Sequence, residues 1–461
     1  MNDILLQKFF EIERWEQALE TGVDKHIDKG ELRKLTSPEV RLAMYQAIAS
    51  DNYEIAPPHQ VQIPKDNGDM RIVYVNENVD RIFLSIANNL FFEMFPEFVH
   101  QSCKSYQSGI GCGKVVQEVS REMVKVKNLE VGFKADLTKY FDTVPIKYID
   151  KIFDRMEAKV GKSKIIDVVR KYYHADLCFD YNGELIEHYQ SLKQGCAVAS
   201  FLADAVLYHI DKTISDMNVY YVRYSDDLLY VGGEWGTAFQ VVKSILADME
   251  MTLNPKKVEQ VYKNRWVKFL GFSIKGDQIT LSKSRVKSFQ KEIEARTIKQ
   301  RKISMERAIN QVNSYLYKGD GTYSWATSVL PIINVDKDID TLNEFIMDCI
   351  RACATGKKKI GGLGSVNDKA DHTILRGTGK NVSANRGKTE KEIDGYLSLR
   401  SKGKQIAVFH DLNFEHFPQD FPKIHLWHYK KFFPKYARKA DKIITVSGFS
   451  KKDICECYGI N

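Results

Sequence analysis

Tyr220-Tyr221-Val222-Arg223-Tyr224-Ser225-Asp226-Asp227-Leu228-Leu229-Tyr230-Val231 is the stretch that decides the fold. Its two flanks are β-branched and aromatic, as short strands require, and Ser225-Asp226-Asp227 between them reads as a tight turn. Two neighbouring carboxylates on a turn repel each other, so folding alone does not favour them. A pair of divalent cations explains their placement, because carboxylates bridge hard metals and lose their repulsion. A solvated Asp-Asp turn is the alternative reading of the pair by itself.

A second carboxylate strand lies upstream, Val131-Gly132-Phe133-Lys134-Ala135-Asp136-Leu137-Thr138-Lys139-Tyr140-Phe141-Asp142. Asp136 ends the apolar run and points off its tip, where Asp226 and Asp227 can meet it. Three carboxylates from two strand segments suit a two-metal phosphoryl-transfer site. There one ion activates an attacking hydroxyl and the other neutralises a leaving pyrophosphate, the ions lying roughly 4 Å apart. Asp142 reads as the cap of the following helix.

The chain has 461 residues, enough for two to four domains, and carries a formal charge of +8 with a pI of 8.8. A mildly basic balance suits a polyanionic partner. The eight cysteines lack paired metal-ligand spacing: Cys349 and Cys353 are helically spaced, and Cys455-Glu456-Cys457 is tight and without evident partners. Reduced thiols in a cytoplasmic protein are expected. No apolar run is long enough to span a membrane, and Met1-Asn2-Asp3 lacks the basic start of a signal peptide.

Residues 1–55 carry Leu5, Phe9, Ile12, Trp15 and Leu19 at helical spacing, which predicts one packed helix face. After Pro57-Pro58, the segment Val61 to Val75 reads as a hairpin around Asp66-Asn67-Gly68-Asp69, and Val79 to Phe95 as a helix. Residues 130–275 alternate strand and helix, so an α+β or α/β core is expected. From Ser282 to Ala354 the pattern is helical and basic, with Lys283, Arg285, Lys287, Lys291, Arg296, Lys299 and Arg301. Residues 356–403 are Gly- and Lys-rich and read as a loosely ordered basic extension.

These segments, in order over roughly residues 55–275, resemble a bacterial reverse transcriptase of the group II intron, retron and defence-associated kind. Phe133 to Asp142 resembles the first catalytic motif, and Gln194-Gly195-Cys196-Ala197-Val198-Ala199-Ser200 the Gln-Gly motif. Tyr224 to Asp227 resembles the Tyr-x-Asp-Asp signature, Leu253-Asn254-Pro255-Lys256-Lys257 the Leu-Asn-x-x-Lys motif, and Phe269-Leu270-Gly271-Phe272 the primer-grip hairpin. The resemblance implies an α+β right-hand polymerase. Fingers and a palm with a small antiparallel sheet would occupy 56–278, a helical thumb 279–355, the basic extension 356–403 and a separate tail 404–461.

It further implies that Asp136, Asp226 and Asp227 hold two Mg²⁺ ions, with Mn²⁺ able to substitute. Phe141 would lie under the sugar and exclude a 2′-hydroxyl, with a place in the core as its alternative. Gln194 and Gly195 would line the templating pair, Gly195 allowing close backbone approach. Lys65 and Arg71 would grip the incoming triphosphate or else be solvated. Lys257 would act as general acid towards pyrophosphate, and Tyr224 would pack beside the primer end. Ser105 to Gly111 resembles the fingers stretch after the first motifs. The basic helical run would grip the template–primer duplex through phosphates.

Phe201 departs from relatives that carry Pro or Gln there, and no Cys/His endonuclease signature follows the thumb. The expected function is RNA-directed DNA polymerisation with dNTPs and a DNA primer or product. The template would be a dedicated non-coding RNA, in an anti-phage setting. Template-independent or protein-primed synthesis, with 23 tyrosines on offer, and a catalytically silent RNA-binding protein are the alternatives. The tail resembles part of a GT4-type glycosyltransferase in Val408-Phe409-His410-Asp411-Leu412 and in Ala440 to Asp453. The chain ends at Asn461, short of that family's donor-binding half, so the tail reads as a truncated Rossmann-like remnant without a sugar-nucleotide site.

Overall fold

The computed structural model describes residues 3–21, 27–64, 70–107, 109–175, 177–187, 191–217, 219–300, 303–318, 324–355, 406–409, 412–421, 423–440, 442–445 and 448–460. The basic extension 356–403 lies outside them. The chain divides into two compact units, Met1–Ile110 with Glu122–Arg265, and Gly111–Arg121 with Trp266–Asn461.

The first unit is mixed helix and sheet. Its N-terminal stripe does not form one helix: Ile4–Phe9 and Ile12–Thr21 are separate, and Ile12 is 47% exposed. The break is stabilised by Trp15, whose buried indole Nε1 donates to the Phe9 carbonyl at 2.9 Å. Trp15 thereby satisfies a carbonyl that a continuous helix would have paired. Leu5, Phe9 and Trp15 are buried as the spacing requires.

Strands β1 (His59–Pro64) and β2 (Met70–Val75) pair antiparallel, in the hairpin expected from the turn signal. Strands β4 (Leu177–Phe179) and β5 (Leu185–Glu187) extend that sheet in the order β2-β1-β4-β5. The helix Asn78–Met94 buries Ile82, Phe83, Ile86, Leu90 and Phe91 along one face. Phe201 is fully buried among Phe91, Phe92, Phe95 and Phe98, with ring centroids 5.3–6.4 Å away. That aromatic pocket accounts for the large residue at this position of the Gln-Gly helix.

The sheet that carries the chemistry has the order β6-β7-β3-β8, from β3 (Glu130–Asp136), β6 (Tyr220–Tyr224), β7 (Asp227–Val231) and β8 (Glu259–Tyr262). All its neighbours are antiparallel. Phe133 stacks on Tyr230 at 5.4 Å across β3 and β7, which fixes the register on the covered face. Asp142 sits inside the short helix Tyr140–Thr143, and the helix Ile146–Val160 has Pro145 at its N-cap, with no side-chain cap from that residue.

In the second unit, β9 (Val267–Phe269), β10 (Phe272–Lys275) and β11 (Gln278–Leu281) form an antiparallel meander. The connection Leu270-Gly271 has both φ angles positive, 49° and 80°, as a two-residue hairpin demands. The helix Lys283–Arg296 follows, capped by Ser282. Lys283, Lys287 and Lys291 are exposed along it, whereas the Arg285 guanidinium packs over Phe272 and Trp325. Arg301 lies outside the described residues.

Residues 406–460 make a parallel pair, β12 (Ile406–Phe409) and β13 (Lys442–Thr445), with the helix Lys423–Lys439 between them in sequence. A parallel pair needs such a crossover, and the small core of Phe409, Phe414, Tyr429, Phe433, Ile454 and Tyr458 accompanies it. His410, Asp411 and Asp441 lie outside the described residues. Cys457, read as partnerless, in fact neighbours Asp453, which is hydrogen-bonded to His416 at 2.7 Å. Among the described residues no helix is long and apolar enough to cross a membrane.

Candidate active site

The strand register gathers the carboxylates. Asp136, the last residue of β3, lies directly opposite Asp227, the first residue of β7. Tyr224 pairs with Asp227 across the β6–β7 hairpin, so Ser225 and Asp226 form its two-residue turn. The Leu137 amide donates to the Asp226 carbonyl at 3.3 Å, which ties the turn back to the strand that carries Asp136. Ser225 adopts φ 56°, the left-handed region usually left to glycine.

Two lysines balance this charge. Lys257 Nζ donates to Asp136 Oδ2 at 2.7 Å, and Lys134 Nζ lies 3.4 Å from Asp227 Oδ1. The Leu-Asn-x-x-Lys segment brings Lys257 there in two steps. The Asn254 amide donates to the Asp136 carbonyl at 2.8 Å, and the Asn254 side chain accepts from the Lys256 amide, opening the short turn Pro255–Lys257. Lys134 was readable in principle, since it stands two residues before Asp136 on the same face of the strand.

Burial is the main cause that raises the carboxyl of Asp226, which is pushed up to about 6, with Asp136 and Asp227 adding their repulsion. Burial also raises Asp136, against the pull of Lys257. Burial works against the charge on Lys257, yet its hydrogen bond to Asp136 and the three aspartates hold its pKa above the ordinary lysine value. The donor set is therefore crowded, oxygen-only and anionic, which is the chemistry of a divalent hard cation. The three aspartates do not converge to within 4.8 Å of one another. Among the described residues only His416, Asp453 and Cys457 do so.

The remaining sequence candidates are distributed around this point. Phe141 follows the left-handed Lys139, is half-buried against the core and meets Tyr140 edge-on at 5.6 Å. Its carbonyl accepts from Ser191 Oγ at 3.1 Å, and Tyr140 is anchored through its hydroxyl to the Ala203 carbonyl. The Gln194 carbonyl accepts the Tyr74 amide at 2.7 Å. Gly195 has φ 105°, and a Cβ there would lie 2.7 Å from the Tyr74 carbonyl oxygen. The close approach that glycine allows at this position is to the chain's own strand β2. Arg71 is exposed on β2 opposite Ile63, and Lys65 lies outside the described residues. Sequence reading passed over Arg223, Asp204, Asp211 and Ser105, which meet beneath the turn only in the folded chain.

Residues 63–274 match the family model for reverse transcriptase (RNA-dependent DNA polymerase). The COX1/OXI3 intron 1 protein of Saccharomyces cerevisiae is 24% identical over 174 residues, which is 38% of this chain and 20% of that protein. The chain thus spans about a fifth of the length of this curated relative. Among solved structures, apo telomerase from Candida tropicalis, truncated from its C-terminal domain, matches with a TM-score of 0.36 and 14% identity, over 56% of this chain and 63% of that one. Telomerase from Candida albicans in complex with a fragment of telomeric RNA gives 0.37 and 11%, over 75% and 66%. Residues 63–274 of this chain are thus similar to the reverse transcriptase domain.

Proposed function

We propose that the chain copies an RNA template into DNA at the site formed by Asp136, Asp226 and Asp227. The observation that carries this reading is the register of β3 against β7, which sets Asp136 opposite Asp227 beside the Asp226 turn. Divalent cations, Mg²⁺ or Mn²⁺, would be held by these three carboxylates. When bound, they supply the lowered pKa of the primer 3′-hydroxyl and the charge that neutralises leaving pyrophosphate.

The chain's own residues do the rest. The Lys257 ammonium is charged and donates to Asp136, so it balances the site until substrate arrives. Acting as general acid requires it to leave Asp136 for the pyrophosphate. Arg71, with Lys65, offers positive charge to the triphosphate, and Tyr224 packs beside the primer end. Gln194 and Gly195 abut β2 and brace the templating pair. Lys283, Lys287 and Lys291 contact duplex phosphates without reading sequence.

Phe141 sets sugar selectivity. Phe141→Ala is expected to raise incorporation of a ribonucleotide relative to its deoxy counterpart by on the order of 10–100-fold, in single-nucleotide extension with each substrate. A fall in thermal stability with unchanged selectivity would return Phe141 to the core.

The test of the polymerase reading is extension of a DNA primer on an RNA template, with wild type beside Asp136→Asn. Magnesium-dependent cDNA from the wild type alone supports it. Inactivity of the wild type on RNA, together with retained RNA binding by both, favours the silent RNA-binding alternative. Within this reading the template is a dedicated non-coding RNA, in a bacterial, cytoplasmic, anti-phage setting. Co-purified cDNA drawn from random cellular RNAs would count against that setting. The parallel strands β12 and β13 agree with a Rossmann-like arrangement, and we read residues 404–461 as resembling part of a glycosyltransferase.

A further inference from the structure

We infer that Arg223 is a positioning residue that holds the Ser225-Asp226 peptide, and through it the Asp226 and Asp227 carboxylates, in the orientation that receives divalent cations. The inference rests on the polymerase reading of the site. Arg223 is 0% exposed, on the strand that enters the turn. Its Nη1 donates to the Ser225 carbonyl at 3.0 Å. Its other donors are spent on holding the guanidinium itself. Nε donates to Asp211 Oδ1 at 2.8 Å, and Nη2 donates to Asp211 Oδ2 at 2.6 Å and to the Asp204 carbonyl at 2.9 Å. Asp204 Oδ1 lies 3.4 Å from Nη1 and accepts from Ser105 Oγ at 2.6 Å, while Tyr221 donates to Asp211.

The backbone reinforces the clamp. The Arg223 amide donates to the Ser102 carbonyl, and the Lys104 amide donates to the Arg223 carbonyl. Segment 102–105 therefore grips the residue along its main chain as well as through Ser105.

Stability alone does not account for this arrangement. A buried guanidinium with two buried carboxylates carries a large desolvation cost, and apolar side chains of similar volume commonly serve a core as well or better. Asp204 Oδ2 is left buried without a hydrogen bond, a further cost. What no apolar residue can provide is a rigid donor to the Ser225 carbonyl. That carbonyl belongs to a residue held at φ 56°, a strained conformation for a residue with a side chain. It is also the peptide that sets the direction of Asp226. The planar guanidinium fork, braced on Asp211, fixes that peptide from below.

Lysine keeps the charge and loses the fork. Arg223→Lys is expected to weaken Mn²⁺ binding at least fivefold, measured as the loss of the free-ion EPR signal on titration. It should also lower kcat for primer extension on RNA about tenfold, with the KM for dNTP unchanged. Asp211→Asn loosens the brace on the guanidinium and should weaken Mn²⁺ binding in the same direction by a smaller factor. Lys162→Met, which removes an exposed ion pair with Glu157 and touches none of these residues, serves as the control, with Mn²⁺ affinity within twofold of wild type. If Arg223→Lys does not fold, the apolar set Arg223→Met, Asp204→Leu, Asp211→Leu takes its place and is read in the same way. A folded variant with wild-type Mn²⁺ affinity and kcat would overturn the inference, and so would equal weakening by Lys162→Met. Failure of the polymerase reading shows separately, as a wild type that binds Mn²⁺ but does not extend the primer.

Discussion

Asp226→Asn is expected to lower primer extension by about 10³-fold or more and, with divalent ions removed, to make the protein more stable at pH 7. The activity loss is a matter of charge. Removing one carboxylate from a metal-holding set takes away several kcal/mol of transition-state stabilisation, and about 4 kcal/mol is a thousandfold. The stability gain has the opposite sign because the same carboxylate is costly when no ion is present. Burial first, then Asp136 and Asp227, push Asp226 up to about 6. A carboxyl raised in the folded state favours folding while protonated. That contribution is full below the unfolded value near 3.8 and is lost as pH rises through about 6. At pH 7 the ionised group therefore works against the fold by about 1–2 kcal/mol, after allowance for the solvent that reaches this turn.

Thermal midpoints in a chelator should consequently fall for the wild type between pH 5 and pH 7 by more than for Asp226→Asn. Adding Mg²⁺ should restore the wild type selectively, since an ion that binds only the folded state stabilises it. Identical pH profiles for the two proteins would refute the crowded-carboxylate account of the site.

Much of the site was legible because it depends on local pattern. The β-branched and aromatic flanks of 220–231 form β6 and β7, and the turn between them falls on Ser225-Asp226. The strand ending at Asp136 lies beside β7, as its apolar run suggested. What escaped was long-range or concerned backbone conformation. Arg223 looks like any polar strand residue until the helices Ala199–Val206 and Tyr208–Ser215 bring Asp204 and Asp211 under it. The stripe through Ile12 failed because spacing records which residues are apolar and not where a carbonyl finds an indole donor. Gly195 reads as a close approach to the templating pair, whereas the approach in the structure is to Tyr74 of β2, and periodicity cannot say whose backbone approaches.

Gly132→Ala is expected to be the most damaging single-methyl substitution in the chemistry-bearing sheet, costing roughly 3 kcal/mol or more and abolishing activity with it. Glycine inside a strand signals a bulge or a close backbone contact, and here both occur. The pairing of β3 with β8 shifts register between Glu130 and Gly132, and on the other side Gly132 pairs with Val231. A Cβ at Gly132 would lie 1.9 Å from the Tyr230 carbonyl oxygen and 2.8 Å from its carbon. Both obstacles are backbone atoms of β7, so no rotamer change relieves the clash. The strands must part. Parting β3 from β7 at this end breaks the ladder that, four residues further along β3, sets Asp136 opposite Asp227. Loss of stability and loss of chemistry therefore share a single cause. Chemical denaturation of Gly132→Ala beside Gly233→Ala, a glycine with open space around its Cβ position and no left-handed backbone, separates this from a generic glycine effect. A Gly132→Ala protein as stable and active as its Gly233→Ala counterpart would mean that β3 and β7 are not packed as tightly as the register requires.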